Sequence, residues 1–283
     1  MKYIVAVSGG LDSVVLLDML AGLGVQHGAV ELVVAHVDHG IRPDSAVDAE
    51  HVRTLASQYG LPYEMTRLEL GPGASEEAAR EARYAWLENM RVKYRADGVI
   101  TAHHQDDVLE TIVLNFQRGT GWRGLASLRT SDERYRPLLG ASKASLTRYA
   151  IDHNLSWRED STNDDVRYAR NYIRHGVLPK LHGESRTKLL KLAEKQRKLR
   201  EEIEAETVKV LSGVKDEVGL SRHKLIMMPD AVALEVLREA TNGKHEPFHL
   251  RRLLHFAKTG RQGSILNLSK GKNALLTRQR LIV

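Results

Sequence analysis

Tyr3-Ile4-Val5-Ala6-Val7-Ser8-Gly9-Gly10-Leu11-Asp12-Ser13 is the stretch on which the fold turns. Its first part, residues 3–7, is almost continuously apolar, as a buried parallel strand is. It runs straight into Ser-Gly-Gly and then into residues 11–23, whose pattern is that of a helix. A strand that turns through two glycines into a helix offers an anion close backbone approach, unpaired amides and a positive dipole end. Ser8 and Ser13 add hydroxyls, and Asp12 suits a helix cap or a magnesium ligand. The loop lacks a Gly-Lys-Ser/Thr ending, so it is not of the Walker type. The competing reading is a plain strand-to-helix turn capped by serine and aspartate.

Outward from this loop the pattern repeats. Residues 31–37, 63–68 and 98–102 read as further strands, and 44–59, 75–94 and 105–117 as helices. Alternation at this spacing predicts an α/β fold, a parallel twisted sheet with helices on both faces. Right-handed crossovers then gather the loops that follow the strands along one edge, where ligands bind. Residues 118–136, rich in Gly, Arg and Ser, read as a long loop; 142–153 read as a helix, 161–165 as a breaker and 170–179 as a short helix ending at Pro179. A long helix begins near Glu184, with Leu189, Leu192, Leu199, Ile203 and Val210 at three- and four-residue steps. That stripe reads as packing for a linker helix or helical hairpin in preference to a dimer seam, since Gln196 and Glu206 interrupt it; the oligomeric state, a homodimer included, is left open. The glycine-punctuated last 40 residues suggest a small β-rich tail. The expected division is 1–183 for a catalytic domain and 184–283 for a smaller helical or α+β domain.

Composition narrows the function. The chain has 283 residues and no cysteine, which removes disulfides, thiolate metal sites and cysteine nucleophiles. No apolar run reaches the roughly 20 residues of a membrane span, and the start leads into Ser-Gly-Gly instead of a cleavage site, so the expected location is the cytoplasm with no membrane partner. Residues 1–184 carry net charge −4 and residues 185–283 net +10. A basic back third suits phosphate contacts with a polyanion, against the plainer reading of a solvated lysine-rich helix.

Two further clusters fall at the strand ends. His36-Val37-Asp38-His39-Gly40-Ile41-Arg42 closes the second strand, and His103-His104-Gln105-Asp106-Asp107, with Glu110, follows the fourth. On a helix starting near His103, the residues His103, Asp106, Asp107 and Glu110 fall within an arc of about 100°. Leu109, Ile112, Val113 and Phe116 form an apolar face centred roughly 120° away. The carboxylates are therefore expected to point away from the core, either as helix-start residues favoured by the dipole or as a site for a cationic amine. No metal centre is assigned, because His103 and Asp107 find no further ligand. Arg80 and Arg83, one turn apart, read singly as an exposed ion-paired face.

Ser8–Ser13 resembles the pyrophosphate loop of the PP-loop ATP pyrophosphatase superfamily. With the His36–Arg42 block, the helix carrying Ser75, Glu76, Arg80, Arg83 and Tyr84, the His103–Glu110 block with Arg118-Gly119-Thr120-Gly121, Arg136-Pro137-Leu138-Leu139, Glu159-Asp160-Ser161-Thr162-Asn163 and Arg170-Asn171-Tyr172-Ile173-Arg174, residues 1–180 resemble the tRNA(Ile)-lysidine synthetases. The resemblance implies ATP and Mg2+ as cofactors, and free L-lysine and a tRNA(Ile) with anticodon CAU as partners. It implies adenylation of the wobble cytidine at its C2 carbonyl and displacement of AMP by the lysine ε-amine. It implies that Ser8, Gly9, Gly10, Leu11, Asp12 and Ser13 hold the nucleotide's phosphates. Asp107 and Glu110 would bind lysine, Arg170 the nucleotide or adenylate, and Asp38, Arg83 and His103 would flank the reacting base. Many members carry an additional C-terminal domain, which a chain ending at Val283 is expected to lack. The candidate tRNA surface is then the basic segment 186–200 with Arg251 and Arg252. The alternatives are an ammonia-dependent synthetase of the same superfamily, such as NAD synthetase, and a tRNA-binding protein without catalysis.

Overall fold

The computed structural model describes residues 1–27, 30–38, 40, 45–68, 75–131, 133–158, 169–243, 245–268 and 272–283. The segments His39, 41–44 and 159–168, which hold parts of two quoted blocks, lie outside the described residues, as does Gly271. The chain divides into two compact units, Met1–Arg197 and Lys198–Val283.

The first unit is built on a five-stranded sheet, parallel throughout: β1 Lys2–Ala6, β2 Glu31–Asp38, β3 Tyr63–Arg67, β4 Gly98–Ile100 and β5 Arg134–Tyr135. Their order is β3-β2-β1-β4-β5, with Val5 in register with Val34 on one side and Ile100 on the other. Successive residues of β1 serve opposite faces, as the two-residue period requires. Val5 joins Leu16, Leu17, Val52 and Leu146 beneath α1 (Leu11–His27), α2 (Ser45–Gln58) and α6 (Lys143–Asp152). Ile4 joins Tyr84, Leu87 and Val99 beneath α3 (Glu76–Tyr94). Helices on both faces bear out the sequence reading. From β1 the connections run first through β2 to β3 and then to β4 on the other side. The strand order thus reverses between β1 and β4, the place where such sheets open a ligand crevice.

Local sequence sets the element ends. α3 starts where Ser75 Oγ accepts the amide of Ala78 at 3.1 Å and stops where Arg95 turns left-handed at φ 49°. α4 (Gln105–Gln117) is closed by a reciprocal cap: His104 Nδ1 accepts the amide of Asp106, and Asp107 Oδ2 accepts the amide of His104 at 2.8 Å.

Residues 118–136 depart from the expected long loop. They hold a short helix, α5 (Trp122–Leu125), and the edge strand β5. Asn115 Nδ2 donates to Gly124 O at 2.7 Å and Thr120 Oγ1 to Asn115 O at 3.0 Å, which pins the glycine-rich turn to α4. After α7 (Ala169–Tyr172) the helix widens into a π-turn, Ile173–Val177, a distortion frequent at functional sites.

α8 (Gly183–Val214) begins in the first unit and ends in the second. Leu189, Leu190 and Ala193 pack at its start and Leu211 and Val214 at its end. Leu192, Leu199 and Val210 of the expected packing stripe are exposed, because the middle of the helix is held in water by its charged majority. The second unit packs α9 (Arg222–Met227), α10 (Asp230–Ala240) and α11 (Pro247–Thr259) over a four-stranded antiparallel sheet. Its strands are β6 Leu220–Ser221, β7 Ile265–Asn267, β8 Asn273–Leu276 and β9 Arg280–Ile282, in the order β6-β9-β8-β7. Among the described residues no helix is long and apolar enough to cross a membrane.

Candidate active site

The loop after β1 lies at the reversal of strand order. Gly9 adopts φ 90°, which lets the chain fold back so that the Ser8 and Gly9 amides both reach Ser13 Oγ at 3.2 Å. Ser13 Oγ in turn donates to Gly10 O at 2.8 Å. The Ser13 hydroxyl is therefore spent on shaping the loop and the Ser13 amide on Gly10 O at 3.0 Å, while the Leu11 and Asp12 amides at the start of α1 are left for a ligand. A side chain at Gly9 would be strained by its φ and would place Cβ 3.3 Å from Val52 Cγ2. Gly9→Ala should cost about 1–2 kcal/mol, read as a melting point a few degrees lower. An unchanged melting point would show that the loop does not need this conformation.

Asp12, in the first turn of α1, receives Lys143 Nζ at 2.8 and 2.9 Å and stands 3.5 Å from His104 Nε2. Burial opposes its charge, yet His104 and Lys143 outweigh it and hold the carboxyl below its ordinary range. His104 Nε2 is also 3.6 Å from Asp107 Oδ2. Burial works against the imidazolium here too, but Asp12 and Asp107 overcome it and raise its pKa. One buried histidine thus joins the phosphate loop to the start of α4.

His103 behaves in the opposite way. It is pushed down to about 3 by burial, with Arg136, Arg83 and Arg80 adding to the effect against Asp107. Its Nδ1 lies 2.8 Å from Thr101 Oγ1. A neutral imidazole is thereby fixed across the physiological range.

Glu110 corrects the expectation that the carboxylates of α4 face away from the core. It is 0% exposed, whereas Phe116, assigned to the apolar face, is 57% exposed. Burial is compensated by Arg174 from the π-turn, which donates Nε to Oε1 at 2.6 Å and Nη2 to Oε2 at 3.2 Å. Such a two-pronged fork is the strong form of this pairing. Burial nonetheless leaves the Glu110 carboxyl above its ordinary range. The same guanidinium comes within 3.7 Å of Asp107 Oδ1. Arg174 carries no signal of its own in the sequence; its pairing with Glu110 marks it. Asp106 is taken by Arg186 at 2.5 Å, so that arginine of the expected tRNA surface turns inward. Arg200 likewise pairs with Glu204, while Lys191 and Lys195 are exposed.

Asp38, at the end of β2, is buried and already occupied. It accepts the Gly40 amide at 2.7 Å and Ser45 Oγ at 3.0 Å, and Arg67 Nε stands 3.8 Å away. His36 faces the loop from the same strand, its Nδ1 2.9 Å from Val7 O. Arg83 lies with Arg80 against Tyr84 in α3. Arg170 sits in α7, and its charge reaches both Arg80 and Glu110. The structure thus gathers Asp12, His103, Asp107 and Glu110 around the β1/β4 crevice and gives Asp38 a structural load.

Residues 1–181 match the family described as the PP-loop domain. A tRNA(Ile)-lysidine synthase of Solibacter usitatus is 42% identical over 183 residues, which cover 64% of this chain and 41% of the relative. One from Synechococcus sp. is 39% identical over 245 residues, covering 83% of this chain and 75% of the relative. The chain spans only 41% of the length of the Solibacter usitatus and Pseudomonas fluorescens synthases. Among solved structures, the U34-tRNA thiolase NcsA from Methanococcus maripaludis, with its 4Fe-4S cluster, superposes with a TM-score of 0.57 at 19% identity, over 70% of this chain and 72% of that one. That likeness is one of fold.

Proposed function

The chain belongs to the PP-loop domain family and, within it, to the tRNA(Ile)-lysidine synthases; from that premise we propose that it ligates free L-lysine to the wobble cytidine of a tRNA(Ile) bearing the anticodon CAU. The observation that carries the reading is the His104 bridge, 3.5 Å from Asp12 of the phosphate loop and 3.6 Å from Asp107 of α4. It sets a place for ATP's phosphates beside a carboxylate that suits an ammonium.

In this reaction the cytidine C2 oxygen attacks the α-phosphate of ATP and pyrophosphate leaves. The lysine ε-amine then adds at C2, AMP departs, and the amine proton is released. The loop Ser8–Ser13 wraps the phosphates, with the Leu11 and Asp12 amides at the start of α1 as the donors. Asp12 would supply one carboxylate oxygen to a magnesium ion, which would offset the charge of the phosphates. Asp107 Oδ1 accepts the lysine ammonium; its Oδ2 is held by the His104 amide, which fixes the carboxylate's direction. Glu110 helps set the charge of that site through Arg174. Arg83 and Arg170 bring positive charge toward the adenylate, where negative charge develops. His103, with a pKa near 3, is too weak for a general base at neutrality. It serves as a neutral hydrogen-bonding wall beside the base, and Asp38 holds the loop after β2 in shape.

The His103 assignment has a consequence for pH. Its folded pKa is depressed below the unfolded value of about 6.5, so the group stays uncharged in the folded enzyme down to roughly pH 4. The kcat/KM profile of the free enzyme should carry no His103 inflection between pH 5 and 8. Wild type and His103→Gln should therefore share the same profile shape there, at different heights. Stability, by contrast, falls as pH drops below about 6.5, because the unfolded chain binds a proton that the folded site refuses.

ATP–pyrophosphate exchange tests the proposal. Exchange is expected with the CAU tRNA alone, without lysine. Exchange that needs a small acid and ignores tRNA would point to an ammonia-dependent synthetase. Binding of tRNA with no AMP formed under any condition would leave a non-catalytic binder.

A further inference from the structure

Four guanidinium groups converge on one tyrosine beside the crevice. Arg80, Arg83 and Arg134 lie with Cζ 5.3, 5.2 and 4.5 Å from the Tyr84 ring centre. Arg136 is buried nearby, 8% exposed, and the Tyr84 and His103 titrations both feel its charge. Two of these arginines come from α3 and two from the β5 segment, so chain folding, and no single helix face, brings them together.

Like charges repel, and the usual remedy is interleaved carboxylates. Among the described residues none of the four forms an ion pair. Glu88, which feels Arg134, is itself taken by Arg91 at 2.5 Å. The ring face of Tyr84 offsets part of the repulsion. What remains is visible on Arg80, whose pKa is lowered by burial and then, against Tyr84, by Arg170, Arg83 and Arg136.

Two buried polar atoms in the cluster also lack an acceptor. Tyr84 is 9% exposed and its hydroxyl meets the Arg136 guanidinium, itself a donor, but no acceptor; Arg136 donates Nη1 to Arg129 O, but its Nε makes no bond. Buried donors left unmade are costly and call for a missing acceptor. Uncompensated positive charge with unpaired donors describes the complement of a phosphate group.

We propose that Arg80, Arg83, Arg134 and Arg136, with the Tyr84 hydroxyl, form a second phosphate-binding site beside the crevice. The phosphate comes either from the RNA backbone next to the reacting nucleotide or from the triphosphate of ATP. The RNA arm rests on the tRNA reading above.

Arg80→Gln/Arg134→Gln and Tyr84→Phe test this, since neither set includes a residue given a role in the reaction. Two probes are titrated: a CAU anticodon stem-loop RNA over a range of salt, and inorganic pyrophosphate. If the phosphate is from RNA, the double variant binds the stem-loop roughly tenfold more weakly at moderate salt, and its log–log salt slope shrinks by about 0.7 per lost contact; pyrophosphate binding is unchanged. If it is from ATP, pyrophosphate binding weakens and the RNA slope stays. Thermal melting guards against misfolding: without anion the double variant should melt at or above wild type, because repulsion is relieved, and pyrophosphate or RNA should raise it less. Variants that bind both probes as tightly as wild type, or a wild type that binds neither, overturn the site. A wild type that binds the RNA through these residues yet forms no lysidine would sink the ligase reading and leave this site standing.

Discussion

Arg174→Ala is expected to destabilise the first unit by about 3 kcal/mol at pH 7, the lower end of what breaking a buried ion pair costs. Glu110 is 0% exposed and its two oxygens are both taken by Arg174. Removing the guanidinium leaves a carboxylate in the core with only the weaker influence of Arg170 to oppose its charge. The cost stays near the low end because the Arg174 side chain is itself 36% exposed, and because Glu110 can escape by taking up a proton. The sign with pH follows from that escape. Burial already raises the folded pKa of Glu110, and the variant raises it further. The unfolded chain ionises above about pH 4.3 while the folded site resists, so the deficit grows as pH rises through that window and shrinks toward pH 4. Urea denaturation at pH 4.5 and 7 reads both numbers. Arg174→Met/Glu110→Gln, which removes both charges, should recover most of the loss. A single variant as stable as wild type at pH 7 contradicts the pairing.

Asp12→Ala is expected to have the largest effect on turnover, lowering kcat/KM by about 10²–10³, the cost of removing one preorganised charged group at a reacting centre. Asp12 holds Lys143 through both oxygens and His104 through Oδ2, in the first turn of α1. Its loss frees an exposed lysine, which costs the fold little, and lets the raised pKa of His104 fall. The expected signature is thus lost ATP–pyrophosphate exchange with a near-native melting curve. Asp12→Asn separates the two duties: it can still accept from Lys143 but offers no charge to magnesium or to His104. Exchange within threefold of wild type in Asp12→Ala would remove Asp12 from the reaction.

The sheet was legible because β1, β2 and β4 are apolar runs bounded by glycine or polar loops, a signal that needs no tertiary information. The crevice was legible for the same reason, since the residues after those strands must meet at one edge. The environment of Glu110 was not. A helical wheel places it about 100° from the apolar stripe, and only Arg174, 64 positions further along the chain, explains its burial. The arginine cluster failed for a like reason: Arg80 and Arg83 are neighbours in sequence, but Arg134 and Arg136 arrive through a two-residue edge strand too short to carry a pattern. The stripe of α8 misled because leucine spacing reports a possible face and not what covers it. Asp38 was legible as a polar residue at a strand end, but its local bonds to Gly40 and Ser45 were not.

The most direct measurement is incorporation of radiolabelled lysine into a tRNA(Ile) transcript bearing CAU, with ATP and magnesium, beside a tRNA(Met) transcript with the same anticodon and beside Asp107→Ala. The account predicts ATP-dependent label in tRNA(Ile) alone, lost in the variant. Folded wild-type protein that binds the transcript and transfers no lysine to it would contradict the account.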